Sequence, residues 1–146
     1  MTLIEAVPNI SEGRDTSIIQ SIVSSVEDGG SSVLGVEPDE DYNRTVITYA
    51  GNPEQVIRSS IDLVRRARSL IDMRQHKGGH PRMGAVDVLP FIPLGESTEE
   101  DAASVAEACF TELMGEVSMF KYGSYATHSS RSRSVSYTHL TLPTKA

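Results

Sequence analysis

Tryptophan is absent, and only three Phe and five Tyr supply aromatic surface. The core must therefore be built from aliphatic side chains. Cysteine is nearly missing too: Cys109 is alone in 146 residues, which excludes an internal disulfide and a cysteine-rich metal cage. No apolar run approaches the roughly 18 residues of a membrane span. The start, MTLIEAVPN, lacks the basic residues and long apolar stretch of a secretory signal, and the chain reads as cytoplasmic.

Positive charge is scarce, with 13 Lys and Arg against 20 Asp and Glu for a net charge of −7. Residues 1–115 hold nine basic and nineteen acidic side chains, whereas residues 116–146 hold four and one. An acidic body without a basic stripe repels a phosphate backbone, so nucleic acid is excluded as a partner. What remains, 38% hydrophobic and 23% charged residues, is the balance of one small folded domain.

The spacing of apolar residues predicts the elements. Residues 3–7 (LIEAV) form a short apolar strand closed by Pro8-Asn9. Asp15 is a fitting N-cap for a helix whose buried stripe is Ile18, Ile19, Ile22, Val23 and Val26, stopped by Gly29-Gly30. Two β-branched stretches, 31–37 and 44–50, flank the acidic turn Pro38 to Asn43. Asn52-Pro53 opens a second helix with Val56, Ile57, Ile61, Val64, Ala67 and Ile71 on one face. A strand-like run, 86–93, carries prolines that suggest an edge, a bulge or a strand end. Ser97 or Thr98 then caps a third helix, and 117–122 is a last strand. This order contains βαββαβ, so the expected fold is α+β, a ferredoxin-like layer with helices mainly on one face of a mixed or antiparallel sheet. Residues 123–146 show no periodicity and are expected to be disordered. Their ending, SVSYTHLTLPTKA, resembles peptide translated from adapter or vector DNA.

Three clusters could carry chemistry. The densest is HKGGHPRMG at 76–84, where three glycines surround an imidazole and a guanidinium. Pro81 restricts His80 to extended backbone, which nominates His80 as an acid-base group and Arg82 as an anion partner. Taken alone, the block reads slightly better as a structural turn, with the imidazole on a carbonyl and Arg82 on Asp87. Zinc is disfavoured because Gly78-Gly79 breaks the helix that would align His76 with His80, and no third ligand is placed; no metal is expected. Neither phosphate-loop pattern, GxxxxGK[ST] or GxGxxG, occurs. In the second cluster, Glu37 to Arg44, Asn43 and Arg44 stand at a strand mouth behind an acidic turn. The third, Pro8 to Arg14, puts Asn9 and Ser11 at a strand end, where they line a site or close the strand by local hydrogen bonds.

The stretches IEAVPNISEGRD (4–15), NRTVITYAGNPEQV (43–56) and LIDMRQHKGGHPRMGAVDVLPFIPL (70–94) together resemble the formiminotransferase family, specifically its N-terminal subdomain. The resemblance covers about 3–122, so residues 1–122 are expected to be that subdomain, incomplete at its C-terminal end. It implies transfer of a formimidoyl group from N-formimidoyl-L-glutamate to tetrahydrofolate as co-substrate, a step of histidine breakdown, without a metal. The histidine of HPRMG, here His80, is implied as the acid-base catalyst; His76 falls outside that position. Asn9, Asn43, Arg44 and Arg82 are implied as substrate or folate contacts. Glu37 stands where members of that family often carry Asp, and its extra methylene displaces a carboxylate that would orient the histidine or the folate. A second subdomain, with folate held between the two, and a homodimer are further implications. The alternative from another class is a noncatalytic folate-binding or interaction domain of the same fold.

Overall fold

The computed structural model describes residues 1–71, 84–117, 120–123 and 138–141, the last two stretches by their backbone. The chain runs through β1 (Leu3–Ala6), β2 (Asn9–Ile10), α1 (Thr16–Asp28), β3 (Ser32–Asp39), β4 (Arg44–Gly51) and α2 (Pro53–Leu70), then β5 (Val86–Leu94), α3 (Glu99–Leu113), β6 (Phe120–Gly123) and β7 (Thr138–Thr141). β1 and β2 share the middle of the sheet between β4 and β5; β3 lies beyond β4, and β7 then β6 lie beyond β5. All these strand pairs are antiparallel. With β1 and β2 counted as one strand, the first four strands have the ferredoxin-like order expected from the sequence.

Two prolines explain why one central strand reads as two. Its register on β4 continues unbroken, with Ile4 opposite Gly51 and Asn9 opposite Val46. The Val7 N–H donates to the Pro90 carbonyl at 3.2 Å and the Ile47 N–H to the Pro8 carbonyl at 3.1 Å. Neither proline has an N–H to return the bond, so the ladder thins on both sides at this point. The prolines of β5 thus do not mark an edge: β5 is paired on both sides, and its irregularity is a register shift opposite Asn9 and Ile10.

Helix boundaries follow the capping chemistry. The Asp15 carboxylate accepts from the Ser17 and Ile18 N–H groups, and these bonds, led by the Ser17 hydroxyl, hold its pKa below the usual carboxylate range. Gly30 leaves α1 at φ +103, a conformation that L side chains rarely adopt. Asn52 and Gln55 form a capping box with Pro53 at the first turn of α2, and Thr98 and Asp101 form another on α3. The three helices of the described residues lie on one face of the sheet, with α2 between α1 and α3. Arg65 on α2 reaches Glu112 and Glu116 at 3.2 and 2.8 Å. These exposed pairs add little stability.

The layer between helices and sheet is closed by Tyr49, Phe91, Ile4, Ile22, Ile47 and Leu63, all fully buried. Its polar element is small. The Tyr49 hydroxyl and the Ser60 Oγ sit 2.7 Å apart. Burial raises the Tyr49 pKa and, against a smaller lowering effect of Ser60, pushes the Cys109 thiol up to about 12. Cys109 therefore behaves as a small apolar side chain at neutral pH.

Of the stretch 123–146, expected to be disordered, Gly123 ends β6 and Thr138–Thr141 forms β7, paired with β5 and β6; residues 124–137 and 142–146 lie outside the described residues. Four residues give too short an alternation to recognise, and the β5 partner is far away in sequence.

Ser60→Ala leaves a fully buried phenol hydroxyl without its partner and should cost about 1–3 kcal/mol. The double variant Tyr49→Phe/Ser60→Ala should cost less than the two single losses combined. A double-mutant cycle by urea denaturation reads this coupling; strictly additive losses would contradict the pairing.

Candidate functional site

The sheet face away from the described helices, and its loop end, carry most of the candidate residues. Directly opposed residues of antiparallel strands share a face. Glu37 of β3 stands opposite Val46, Val46 opposite Asn9, and Asn9 opposite Val88. These four form one row across the open face, about 14 Å from end to end at ordinary strand spacing. A second row holds Ala50, Glu5 and Ile92. The surface is apolar at Val46, Val88 and Ile92, with an amide at its centre and carboxylates on Glu5 and Glu37. Such a wall suits a flat ligand with a polar edge.

Below the row, the turn at residues 11–14 is tied to three neighbours. The Ser11 N–H donates to the Ala85 carbonyl at 2.9 Å, and its Oγ donates to the Gly84 carbonyl at 2.5 Å. Asn43 Oδ1 accepts from the Gly13 N–H at 2.8 Å. The Thr45 hydroxyl donates to the Glu12 carbonyl at 2.5 Å, and Arg14 Nε to the Glu40 carbonyl at 2.8 Å. Ser11 and Thr45 are fully buried and Asn43 nearly so, so the bonds of these three side chains, unlike the exposed Arg14 bond, sit where an unmade bond is costly.

Gly13 is required by close approach. A Cβ there would collide with the Asp39 carbonyl and lie 2.6 Å from both the Arg44 nitrogen and the Arg44 carbonyl oxygen, all backbone atoms. Asn43 adopts φ +52, which asparagine tolerates better than most residues. Its amide oxygen is therefore engaged in holding the turn. The Arg44 guanidinium lies 5.5 Å from the centre of the Tyr42 ring, a cation–π arrangement. Asp39 Oδ1 accepts from the Asp41 and Tyr42 N–H groups at 3.0 and 3.1 Å and shapes the acidic turn.

Of the sequence candidates, the structure brings Asn9 and Glu37 onto one row and sets Asn43 and Arg44 at the same end of the sheet. His80, Arg82 and His76 lie outside the described residues. Gly84, the last residue of the HKGGHPRMG block, is described, and it is the residue that Ser11 holds. Thr45 and Gly13 were not singled out by sequence: a threonine inside a β-branched strand and a glycine inside a turn each have a commonplace explanation. Ser11 was noticed, but its partner lies 73 residues away and no local pattern names it. Among the described residues, no group of three or more His, Cys, Asp or Glu side chains could hold a metal ion, and no helix is long and apolar enough to cross a membrane.

Fold and site define an α+β domain of ferredoxin-like strand order, with one sheet face that no described helix covers and a cluster of loop hydrogen bonds at its end. The chain belongs to the formiminotransferase family: the description "Formiminotransferase domain, N-terminal subdomain" matches residues 3–138, beyond the expected boundary at 122. Over 132 residues it is 41% identical to the formimidoyltransferase-cyclodeaminase of Rattus norvegicus and 39% identical to that of Dictyostelium discoideum. Over the same length it is 32% identical to the glutamate formimidoyltransferase of Streptococcus pyogenes serotype M1. Each similarity takes in 88% of this chain. The chain spans 24%, 25% and 44% of these three relatives respectively.

Gly13→Ala should lower stability by about 1–3 kcal/mol through overpacking against backbone. Asn43→Ala should cost a similar amount, about 1–3 kcal/mol, by orphaning the buried Gly13 N–H. Glu37→Ala, on an exposed residue, should stay within about 0.5 kcal/mol. Urea melts of the three variants check the ranking; equal losses would contradict the proposed tie between the two turns.

Proposed function

We propose that the protein takes part in formimidoyl transfer from N-formimidoyl-L-glutamate to tetrahydrofolate, in histidine breakdown, with His80 as the acid-base residue. The observation that carries this reading is the family match over 3–138, which takes in the whole HKGGHPRMG block. The relatives' names, formimidoyltransferase-cyclodeaminase and glutamate formimidoyltransferase, support the same class of transferase.

The chemistry requires little. A folate nitrogen bonds to the amidine carbon and gives up its proton, the bond from that carbon to the glutamate nitrogen breaks, and glutamate leaves with the proton. One imidazole near neutral pKa accepts and returns that proton. Arg82 and Arg44 pair with the glutamate carboxylates. Asn9 contributes an amide at the centre of the open face, and Asn43 acts by fixing the turn from which Arg44 emerges. The apolar strip of Val46, Val88 and Ile92 offers stacking surface to the folate ring. The remaining length of the relatives supplies the second subdomain, which closes the folate site over this bare face. A cytoplasmic location and association of two copies belong to the same reading.

A tetrahydrofolate-dependent assay with N-formimidoyl-L-glutamate tests it, on this chain and on a form extended by a second subdomain. Turnover in the extended form should fall about 10²- to 10⁴-fold in His80→Ala. Folate binding without turnover in either form would instead favour a noncatalytic binding domain.

A further inference from the structure

We infer that Glu5 is a specificity-determining residue for the folate co-substrate, its carboxylate taking the 2-amino and N3–H edge of the pterin ring; the inference rests on the function proposed above. Three rows of opposed residues cross the sheet face away from the described helices, and the strand registers fix their order. Glu37, Val46, Asn9 and Val88 form the row nearest the loop end. Ser32, Ala50, Glu5 and Ile92 form the row farthest from it. Between the two, the unbroken register sets Gly35, Thr48, Val7 and Pro90, with the Val7 N–H donating to the Pro90 carbonyl at 3.2 Å. Glu5 is the one charged side chain in these last two rows.

Nothing in the fold asks for a carboxylate at this position. Glu5 is half-buried on the central strand, with Ala50 and Ile92 across from it and Leu3 and Val7 on the same face along its own strand. It makes no hydrogen bond or ion pair among the described residues. Glutamate is a poor strand former, and the register is already fixed by the buried Ile4 and Ala6 on either side of it. Glu37, by contrast, stands exposed on the outer strand β3, where water serves it. Closing a second subdomain over this face takes Glu5 out of water, which is costly for a carboxylate unless donors meet it there.

The pterin ring supplies such donors. Its 2-amino group and N3–H lie side by side on one edge, two parallel N–H donors that match the two oxygens of a carboxylate as a guanidinium does. From Glu5 to Asn9 is four strand residues, about 13 Å, and the floor between them is Val7, Pro90 and Thr48. With its donor edge on Glu5, the flat ring lies over that floor. The half that carries the accepting nitrogen then points toward Asn9 and the loop end, where Arg44 begins β4.

The test uses the extended form that turns over, with tetrahydrofolate and with an analogue whose 2-amino group is replaced by methyl. Loss of one charge-assisted bond should lower kcat/KM for the analogue about 10- to 100-fold in the unaltered protein. Glu5→Gln, the same size without the charge, should raise the KM for tetrahydrofolate about 10- to 100-fold and bring the two folates within about 3-fold of each other. Its KM for N-formimidoyl-L-glutamate should stay within about 2-fold. Glu27→Gln, at an exposed residue of α1, is the control and should leave both KM values unchanged. Equal kcat/KM for the two folates in the unaltered protein, a comparison that needs no variant to fold, would overturn the contact and leave the proposed function standing. So would a Glu5→Gln enzyme that still discriminates between them, the mark of a carboxylate paired with the second subdomain instead of the ligand. Absence of tetrahydrofolate-dependent turnover in the unaltered protein would overturn the functional reading and this inference with it.

Discussion

Everything in this domain hangs on the strand from Leu3 to Ile10, which is paired on both sides along its length. Its alternation sends Ile4, Ala6 and Ile10 into the core and leaves Glu5 and Asn9 on the other face. A one-residue slip would exchange these sets, so burial of the three apolar side chains fixes the register and with it the place of Asn9. The two prolines at Pro8 and Pro90 weaken the ladder in the middle of this strand without releasing it. The strand then delivers Ser11 to the point where β5 begins.

The turn that follows converts that placement into a site. Gly13 permits backbone contact with the β3–β4 connection, Asn43 supplies the acceptor, and Thr45 fastens Glu12. The Gly13–Asn43 bond is buried and the Thr45–Glu12 bond partly so. The arrangement is therefore set by the cost of leaving polar groups unpaired more than by the strength of any one bond. Among the described residues, the helices lie on one side of the sheet and this cluster at one end, so the face with Glu5, Asn9 and Val46 is left uncovered by them.

Much of this was legible in the sequence. The stripe from Ile18 to Val26, the Asp15 cap and the Asn52-Pro53 start each depend on neighbours within a turn or two, and each was found where expected. The βαββαβ order followed from them. What escaped was non-local: the pairing of β7 with β5, the tie from Ser11 to Gly84, and the approach of Gly13 to Arg44 join residues far apart in the chain. The prolines of β5 suggested an edge, a bulge or a strand end because proline removes a donor; β5 is paired on both sides, and its register shift opposite Asn9 and Ile10 fits the bulge. Asn43 was read as a ligand contact from its place beside Arg44, and its positive φ and bond to Gly13 give it a structural duty that composition alone could not disclose.

The central claim is that the sheet face away from the helices, at the end bracketed by Ser11 and Asn43, receives the folate. Titrating tetrahydrofolate into the ¹⁵N-labelled chain while following backbone amide shifts tests this most directly. The account predicts that Asn9, Val46 and Val88 move together and saturably, with α1, α2 and α3 unaffected on their outer sides. Shifts confined to the helices, with those three amides still, would contradict it.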